Sequence, residues 1–288
     1  MTQYSEKRSI LVTSALPYAN APLHLGHILE HTQTDIWVRF QKLTGNDCVY
    51  VCADDAHGTP IMLKAEELKI TSEELIGQIF EDHKNTFKEY RISHDNFYTT
   101  HSEENRELSE RIYNSIESKG LIEKKLINQL FDTSREMFLS DRYVKGQCPE
   151  CGAIDQYGDN CEKCSATYNA IDLQNPISVL TGTEPIIKES EHMFFKLSDL
   201  KDQIIDWLDR SNIQEPVRNK VNEWLDGELK DWDISRDAPY FGFKIPGYED
   251  KYFYVWLDAP IGYLASHLNY LKQTNQESLF EDYWKPDS

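Results

Sequence analysis

Several features are scarce or missing in this sequence, and each absence narrows its class. No run of about 18 apolar residues occurs in the 288-residue chain, which excludes an ordinary transmembrane helix. Lys7 and Arg8 are followed by Tyr18, Asn20 and two prolines rather than by a long apolar segment, so no secretory signal peptide is expected. Basic residues are outnumbered, with 30 Lys and Arg against 49 Asp and Glu and a net charge of −19. We therefore expect a cytoplasmic protein with no membrane and no DNA partner, although a local contact with RNA is not excluded.

Cysteines are few, and four of the six are clustered in the pattern C-x2-C-x9-C-x2-C. Two disulfides or four free thiols are the alternatives to a metal site. Without a secretory signal the reducing cytosol is expected, where such spacing favours metal. Four thiolates complete a tetrahedral shell, which predicts one structural Zn²⁺ per chain that folds its segment. Cys48 and Cys52 lie in an apolar stretch and are predicted to be core thiols. The predicted ligands are Cys148, Cys151, Cys161 and Cys164.

Apolar stretches alternate with helical patterns in the first part of the chain. "SILVTSALPY" (9–18) and "DCVYVCADD" (47–55) are typical of buried strands, and the first runs into a turn. Helical periodicity is found at about 23–43, 72–90 and 102–119. This alternation predicts an α/β fold with a parallel, doubly wound sheet.

The pattern changes after Gly120. Residues 145–170 are rich in Cys, Gly, Asp and Asn, and acidic helical segments follow at about 197–232. "KYFYVWLDAP" (251–260) again has the composition of a buried strand that ends in a turn. The simplest interpretation is one α/β domain interrupted by an inserted module.

The stretch "PYANAPLHLGHILEH" (17–31) carries three histidines that share one helix face. His24, His27 and His31 are spaced i, i+3 and i+7, and Gly26 should weaken the helix by about 1 kcal/mol. The helix follows the first strand, where α/β folds bind phosphates. Two alternatives stay open: the three histidines, with Asp35, could ligate a metal, or they form a core or solvated face.

Two further stretches supply polar and apolar candidates near strand ends. "ADDAHGTP" (53–60) places two acids after the second strand, where a carboxylate could hold a substrate ammonium, although an ordinary turn gives the same pattern. "YVWLDAPIGY" (254–263) offers aromatic and small residues that suit either an apolar pocket or plain core packing.

Together these stretches resemble the class I aminoacyl-tRNA synthetases, and among them the methionyl-tRNA synthetase family. "ALPYANAPLHLGHILEH" is similar to the first family signature, with the HIGH box written here as HLGH, and "ADDAHGTP", "DQYGDNC", "WDISRDAPYFGF" and "YFYVWLDAPIGY" follow in the expected order. The resemblance implies a Rossmann-type parallel sheet domain split by a connective-peptide insert with a zinc knuckle. The implied boundaries are 1–118 for the first half of the catalytic domain, 119–235 for the insert with its knuckle at about 145–170, and 236–288 for the start of the second half.

The resemblance also implies a reaction and its residues. Methionine and ATP, brought with Mg²⁺, would give methionyl-adenylate and pyrophosphate, and methionine would then pass to tRNA(Met). His24 and His27 match the catalytic histidines that contact the phosphates, Gly26 the glycine beneath adenine, and Asp55 the carboxylate that pairs with the methionine ammonium. The implied ATP-binding residues are Pro17, Tyr18, Ala19, Asn20, His24, Gly26 and His27. The implied methionine-binding residues are Ala15, Leu16, Tyr18, Asp55, Trp256, Ala259, Pro260 and Tyr263.

One family signature, KMSKS, is absent from the sequence. The most similar string, "KLSDL" (196–200), lies in the insert and lacks the second lysine. We therefore expect an N-terminal catalytic fragment, truncated before the KMSKS loop and the anticodon-binding domain. Such a fragment should be monomeric, should bind tRNA(Met) weakly, and should keep zinc but activate methionine poorly. The alternative functions are an HxGH-type nucleotidyltransferase acting on a small molecule, and a non-catalytic zinc-knuckle RNA-binding module.

Overall fold

Strands and helices alternate early in the chain, and a strand-rich segment follows before the last helices. The computed structural model describes residues 7–227 and 229–285. The strands are β1 Ser9–Thr13, β2 Asp47–Asp54, β3 Asn96–Thr99, β4 Ile122–Asp132, β5 Met137–Phe138, β6 Val144–Gln147, β7 Gln156–Tyr157, β8 Gln174–Ser178, β9 Ile186–Phe195, β10 Trp232–Asp233, β11 Ser235–Asp237 and β12 Lys251–Phe253. The helices are α1 Leu25–Leu43, α2 Thr59–Leu68, α3 Ser72–Glu89, α4 Glu103–Ser118, α5 Lys201–Arg210, α6 Glu215–Asp226, α7 Val255–Gln273 and α8 Phe280–Trp284. Within the described ranges, no helix combines the length and apolarity that crossing a bilayer requires.

The first of two compact units contains a parallel three-stranded sheet in the order β1-β2-β3. It is made of the described residues up to Ser115, Tyr240–Gly247 and the described residues from Tyr252 onward. β2 is central and almost wholly buried, with Val51 opposite Thr13 of β1 and Asn96 of β3. A central parallel strand is covered on both faces, which explains its nearly continuous apolar sequence. The prediction of a parallel α/β sheet is confirmed.

The two cysteines outside the cluster are core thiols, as predicted. Cys48 and Cys52 are buried in β2 as free thiols. Burial raises the pKa of the Cys52 thiol far above its ordinary value, so this thiol is protonated and unreactive at neutral pH.

The helices predicted at about 23–43, 72–90 and 102–119 correspond to α1, α3 and α4, but α2 was not predicted. It occupies Thr59–Leu68, directly after "ADDAHG", and has Pro60 in its first turn. Proline is well tolerated there because the first-turn N–H groups have no intrahelical partner. Gly and Pro in this stretch therefore mark a helix start as well as a turn.

The prediction of a strand over 251–260 is wrong for most of its length. Strand β12 ends at Phe253, and the residues from Val255 belong to α7, which carries Pro260 inside it. Buried α7 positions such as Ile261, Ala265 and Leu271 recur with helical spacing beyond the predicted stretch. Asp258 also lies in the first turn, where a carboxylate is stabilised by the helix dipole.

The second unit comprises Ile116–Pro239 and Tyr248–Lys251. Its larger sheet is ordered β10-β9-β4-β5, with long antiparallel pairing between β4 and β9, and a smaller sheet is ordered β7-β6-β8. The helical segment expected at about 197–232 consists of α5 and α6, whereas residues 232–233 form β10. The boundaries 119 and 235 for a connective-peptide insert remain a proposal.

Candidate functional site

Two histidines cap α1 reciprocally at its N-terminus. His24 is the N-cap residue, and its Nδ1 accepts hydrogen bonds from the N–H groups of Gly26 (3.1 Å) and His27 (3.4 Å). His27 Nδ1 accepts in return from the N–H of His24 at 3.3 Å. The two imidazoles stack with their centroids 3.7 Å apart. Histidine thus fills both positions of a capping box, where Ser or Thr and Glu are usual.

This capping fixes the tautomer of both rings. An Nδ1 atom that accepts hydrogen bonds carries no proton, so a neutral ring must carry its proton on Nε2. Burial lowers the pKa of His27, and the neighbouring His24 lowers it further, which favours the neutral ring. Each histidine therefore keeps one N–H donor, at Nε2, for a ligand.

Gly26 leaves space for an aromatic ring, and in this structure the ring is the imidazole of His24. A Cβ at Gly26 would lie 2.9 Å from Cε1 and 3.0 Å from Nδ1 of His24, closer than atoms normally approach. In this structure the glycine is therefore required by the His24 cap. Its match to an adenine-binding glycine remains a prediction.

His31 is separated from the other two histidines, and among the described residues His24, His27, His31 and Asp35 do not form the metal-binding group that was one of the alternatives. His31 is fully buried, and its Nδ1 lies 3.0 Å from His94 Nε2 and 3.2 Å from the Tyr50 hydroxyl. Asp35 instead accepts from Arg39 (2.6 Å) and from the N–H of Ser93 (3.0 Å). His31 is thus a hydrogen-bonded core histidine, as the alternative interpretation predicted.

The segment after β1 runs beside the residue that follows β2. Ala19 N–H donates to Asp55 O at 2.8 Å, and Asp55 N–H donates to Pro17 O at 2.9 Å. Tyr18 donates its hydroxyl to the main-chain oxygen of His57 at 2.9 Å. The predicted residues Pro17, Tyr18, Ala19 and Asp55 are therefore brought together at the carboxyl edge of the sheet, and Asn20 is exposed in the following turn.

The Asp55 carboxyl group lies in an environment that a bound cation would stabilise. Its Oδ1 is buried and has no hydrogen-bond partner among the described residues. Burial, and then the neighbouring Asp258, raise the pKa of Asp55 to about 8, whereas a hydrogen bond from the His57 N–H acts in the opposite direction. A bound ammonium would satisfy the orphaned oxygen and stabilise the ionised form.

α7 brings part of the predicted side-chain pocket to this edge. A Cβ at Gly262 would lie 3.1 Å from Leu16 and 2.7 Å from Thr100, so the helix packs directly on these residues. Burial raises the pKa of Tyr263, which also interacts with the Leu16 main chain and with Asp55.

The remaining predicted pocket residues are more open. Trp256 is 63% exposed, and Pro260 and Ala15 are exposed as well, whereas Ala259 is half-buried. Ala15 is held by its N–H, which donates to Glu30 Oε1 at 2.6 Å. Leu16, Tyr18, Asp55 and Tyr263 therefore form a group, while Trp256 does not cover it.

Sequence reasoning missed three residues that meet at the same edge. His57, fully buried, contacts an Asp258 carboxylate oxygen through Nδ1, and its Nε2 lies 2.9 Å from Nδ1 of His101. His57 follows β2, His101 follows β3, and Asp258 lies in the first turn of α7. Their positions after neighbouring parallel strands were the signal that could have identified the two histidines.

In the second unit, the four clustered cysteines meet as predicted. Their sulfur atoms lie within 4.8 Å of one another, and the Cys148–Cys164 and Cys151–Cys161 sulfur pairs are 3.8 and 3.6 Å apart. A disulfide needs about 2.05 Å, whereas ligands about 2.3 Å from a tetrahedral zinc are separated by about 3.8 Å. The cluster therefore fits a metal better than two disulfides.

Two similar turns form the cluster. The Cys151 N–H points to Cys148 Sγ at 3.5 Å, and the Cys164 N–H points to Cys161 Sγ at 3.4 Å. Each turn is closed by a second bond, from Gly152 N–H to Cys148 O and from Ser165 N–H to Cys161 O. Main-chain N–H groups directed at sulfur stabilise thiolates, the form that binds metal.

Helix α1 begins beside the carboxyl edge of a parallel sheet, where α/β proteins typically bind phosphate groups. A buried carboxylate oxygen that lacks a hydrogen-bond partner among the described residues suits a cationic group. A family model described as "tRNA synthetases class I (M)" matches residues 10–288. The chain belongs to this family of class I tRNA synthetases.

Two solved structures show the same fold. Both are Mycobacterium tuberculosis methionyl-tRNA synthetase with methionyl-adenylate, at 25% and 24% sequence identity and TM-scores of 0.71 and 0.70. Each match covers 98% of this chain and 50% of the other, so this chain spans about half the length of those proteins.

Proposed function

We propose that this chain activates methionine with ATP, as the catalytic part of a methionine–tRNA ligase. The products would be methionyl-adenylate and pyrophosphate, and methionine would then be transferred to tRNA(Met). Family membership and the likeness to methionyl-adenylate-bound structures support this proposal. The observation that carries it is the buried Oδ1 of Asp55, which has no hydrogen-bond partner within residues 7–227 and 229–285 and suits the ammonium of an amino acid.

Methionine would bind where Asp55, Leu16 and Tyr263 converge. The ammonium would pair with Asp55, and the side chain would lie against Leu16, Tyr18 and the face of α7. A thioether has little hydrogen-bonding identity, so the shape of an apolar pocket has to select it. Ala15, Ala259 and Pro260 would line the rest of the pocket. The exposed Trp256 side chain would have to turn inward to contact the ligand.

ATP would bind at the N-terminus of α1. The Nε2–H groups of His24 and His27 and the positive end of the helix dipole would face its phosphates. The methionine carboxylate attacks the α-phosphorus and pyrophosphate leaves, so no protein nucleophile is required. The two histidines would act by stabilising charge on the phosphate oxygens, and Pro17, Ala19, Asn20 and Gly26 would line the nucleotide.

The four cysteines would hold one structural Zn²⁺. Four thiolates leave no coordination position open for a substrate, so the ion would stabilise the second unit and take no part in the reaction. The sulfur separations of 3.6 and 3.8 Å support this proposal.

Activation by these 288 residues alone should be slow. Their sequence contains no KMSKS signature. Substrate binding is therefore a more direct measure of the proposed function than turnover.

The experiment is methionine binding by calorimetry to the wild-type chain, Asp55→Asn and Asp47→Asn. Asp47 is the matched control because it lies at the opposite end of β2, where it forms an exposed ion pair with Lys7. Loss of a hydrogen bond to a charged group costs about 1.5–3 kcal/mol, so Asp55→Asn should weaken binding about 10- to 100-fold. Asp47→Asn should bind like wild type. A wild-type chain that binds leucine as well as methionine would contradict the proposal.

A further inference from the structure

His57 connects two parts of the candidate ammonium site through both its ring and its main chain. The ring contacts Asp258 and His101, and neither of these residues belongs to the predicted methionine-binding set. The main-chain N–H of His57 interacts with the Asp55 carboxylate, and its carbonyl oxygen accepts the Tyr18 hydroxyl. His57 thus links Asp258 and His101, through its ring, to two predicted methionine-binding residues, through its main chain.

Both ring nitrogens of His57 have a partner. Nδ1 contacts the Asp258 carboxylate, and Nε2 lies 2.9 Å from Nδ1 of His101. A ring nitrogen carries either a proton or a lone pair, so each contact needs a partner of the opposite kind. Because His57 is fully buried, no solvent can replace the His101 ring as a partner.

His101 is held in turn by aromatic neighbours. Its ring stacks on Phe241 with centroids 5.1 Å apart, and the main-chain N–H of His101 donates to Thr99 Oγ1 at 3.1 Å. His101 is half-buried, whereas His57 and Asp258 are buried, so His101 is the most exposed of the three linked residues.

We propose that Asp258, His57 and His101 form a positioning chain for the amino-acid ammonium: Asp258 and His101 lock the His57 ring, and His57 holds Asp55 and Tyr18 in the geometry that binds the ammonium. This inference rests on the proposed function. It adds three positioning residues, none of which has to touch the substrate.

The test compares His101→Leu with His101→Asn. Asparagine can place an amide group that donates or accepts a hydrogen bond where Nδ1 of histidine was, whereas leucine has no polar atom. His101→Leu should weaken methionine binding about 10-fold, and His101→Asn should restore most of this loss. His267→Leu is the matched control, because the His267 ring also makes a hydrogen bond, which it accepts from Trp284 Nε1, but packs near the other end of α7 against Phe280.

A des-amino analogue of methionine separates positioning from general loosening of the fold. It lacks the ammonium, so its affinity should be equal for wild type and His101→Leu if the chain acts on Asp55. Equal losses for methionine and the analogue, or no rescue by asparagine, would overturn the positioning chain and leave the proposed function standing. A wild-type chain that binds no methionine would overturn both.

Discussion

Replacement of Gly26 by alanine separates the helix-capping role of the histidine signature from its predicted role toward ATP. The added Cβ would lie 2.9 Å from Cε1 of His24. Because the His24 ring is exposed, it can swing away rather than strain the backbone. It would then lose its two N–H donors and its stacking on His27.

The two consequences for stability nearly cancel. Loss of an N-cap costs about 0.5–2 kcal/mol, whereas alanine in place of glycine favours a helix by up to about 1 kcal/mol. The free energy of unfolding should therefore change by no more than about 1 kcal/mol. Nucleotide binding has no such compensation, since a hydrogen bond to a charged phosphate contributes about 1.5–3 kcal/mol. Mg·ATP should bind about 10- to 100-fold more weakly.

The assay pairs thermal unfolding with Mg·ATP binding for Gly26→Ala and Gly77→Ala. Gly77 is exposed within α3, and nothing lies within 4 Å of an added Cβ. Gly77→Ala should raise the free energy of unfolding by up to about 1 kcal/mol and leave nucleotide binding unchanged. Wild-type affinity for Mg·ATP in Gly26→Ala would refute the assignment of phosphate contact to the His24 ring.

Three further predictions concern protons and metal. Because burial and Asp258 raise the pKa of Asp55 to about 8, methionine binding at pH 7 should release a proton, seen as a dependence of binding enthalpy on the buffer. The folded protein also holds this proton more tightly than the unfolded chain does. The contribution of Asp55 to stability should therefore fall as pH rises from about 4 to about 8. Elemental analysis should give about one zinc per chain, and Cys151→Ser should lose zinc and unfold at a lower temperature. Two metals per chain would instead indicate binding at His31, Cys52 and His94, whose ligand atoms also lie within 4.8 Å of one another.

Local patterns predicted much of this structure because local physics controls it. The spacing of Cys148, Cys151, Cys161 and Cys164 was enough to predict their cluster. Each C-x2-C pair is held by a turn that closes within a few residues. The apolar sequence of β2 and the periodicity of α1, α3 and α4 likewise predicted their structures.

Features that depend on distant segments could not be predicted in this way. The contact of His57 with Asp258 joins residues 201 positions apart, and neither flanking sequence specifies the other. Position 26 illustrates a different limit: the sequence indicated that a ring lies over Gly26 but not that the ring belongs to His24. The strand predicted over 251–260 failed because ten residues contain too few helical turns to outweigh a run of aromatic and β-branched residues.

Unsatisfied carboxylate oxygens at the sheet edge connect stability with function. Buried oxygens of Asp54, Asp55 and Asp258 have no hydrogen-bond partner in the described part of the chain. Each costs about 1–3 kcal/mol unless a ligand supplies a donor, so the free protein keeps a destabilised site. Asp55→Asn removes the charge that burial and Asp258 disfavour, so above about pH 8 the free variant should be more stable than wild type. At 100 times Kd, methionine should stabilise wild type by about 2.7 kcal/mol and the variant by much less. An unliganded variant less stable than wild type would mean that the Asp55 carboxylate has a structural partner, and the ammonium assignment would lose its main support.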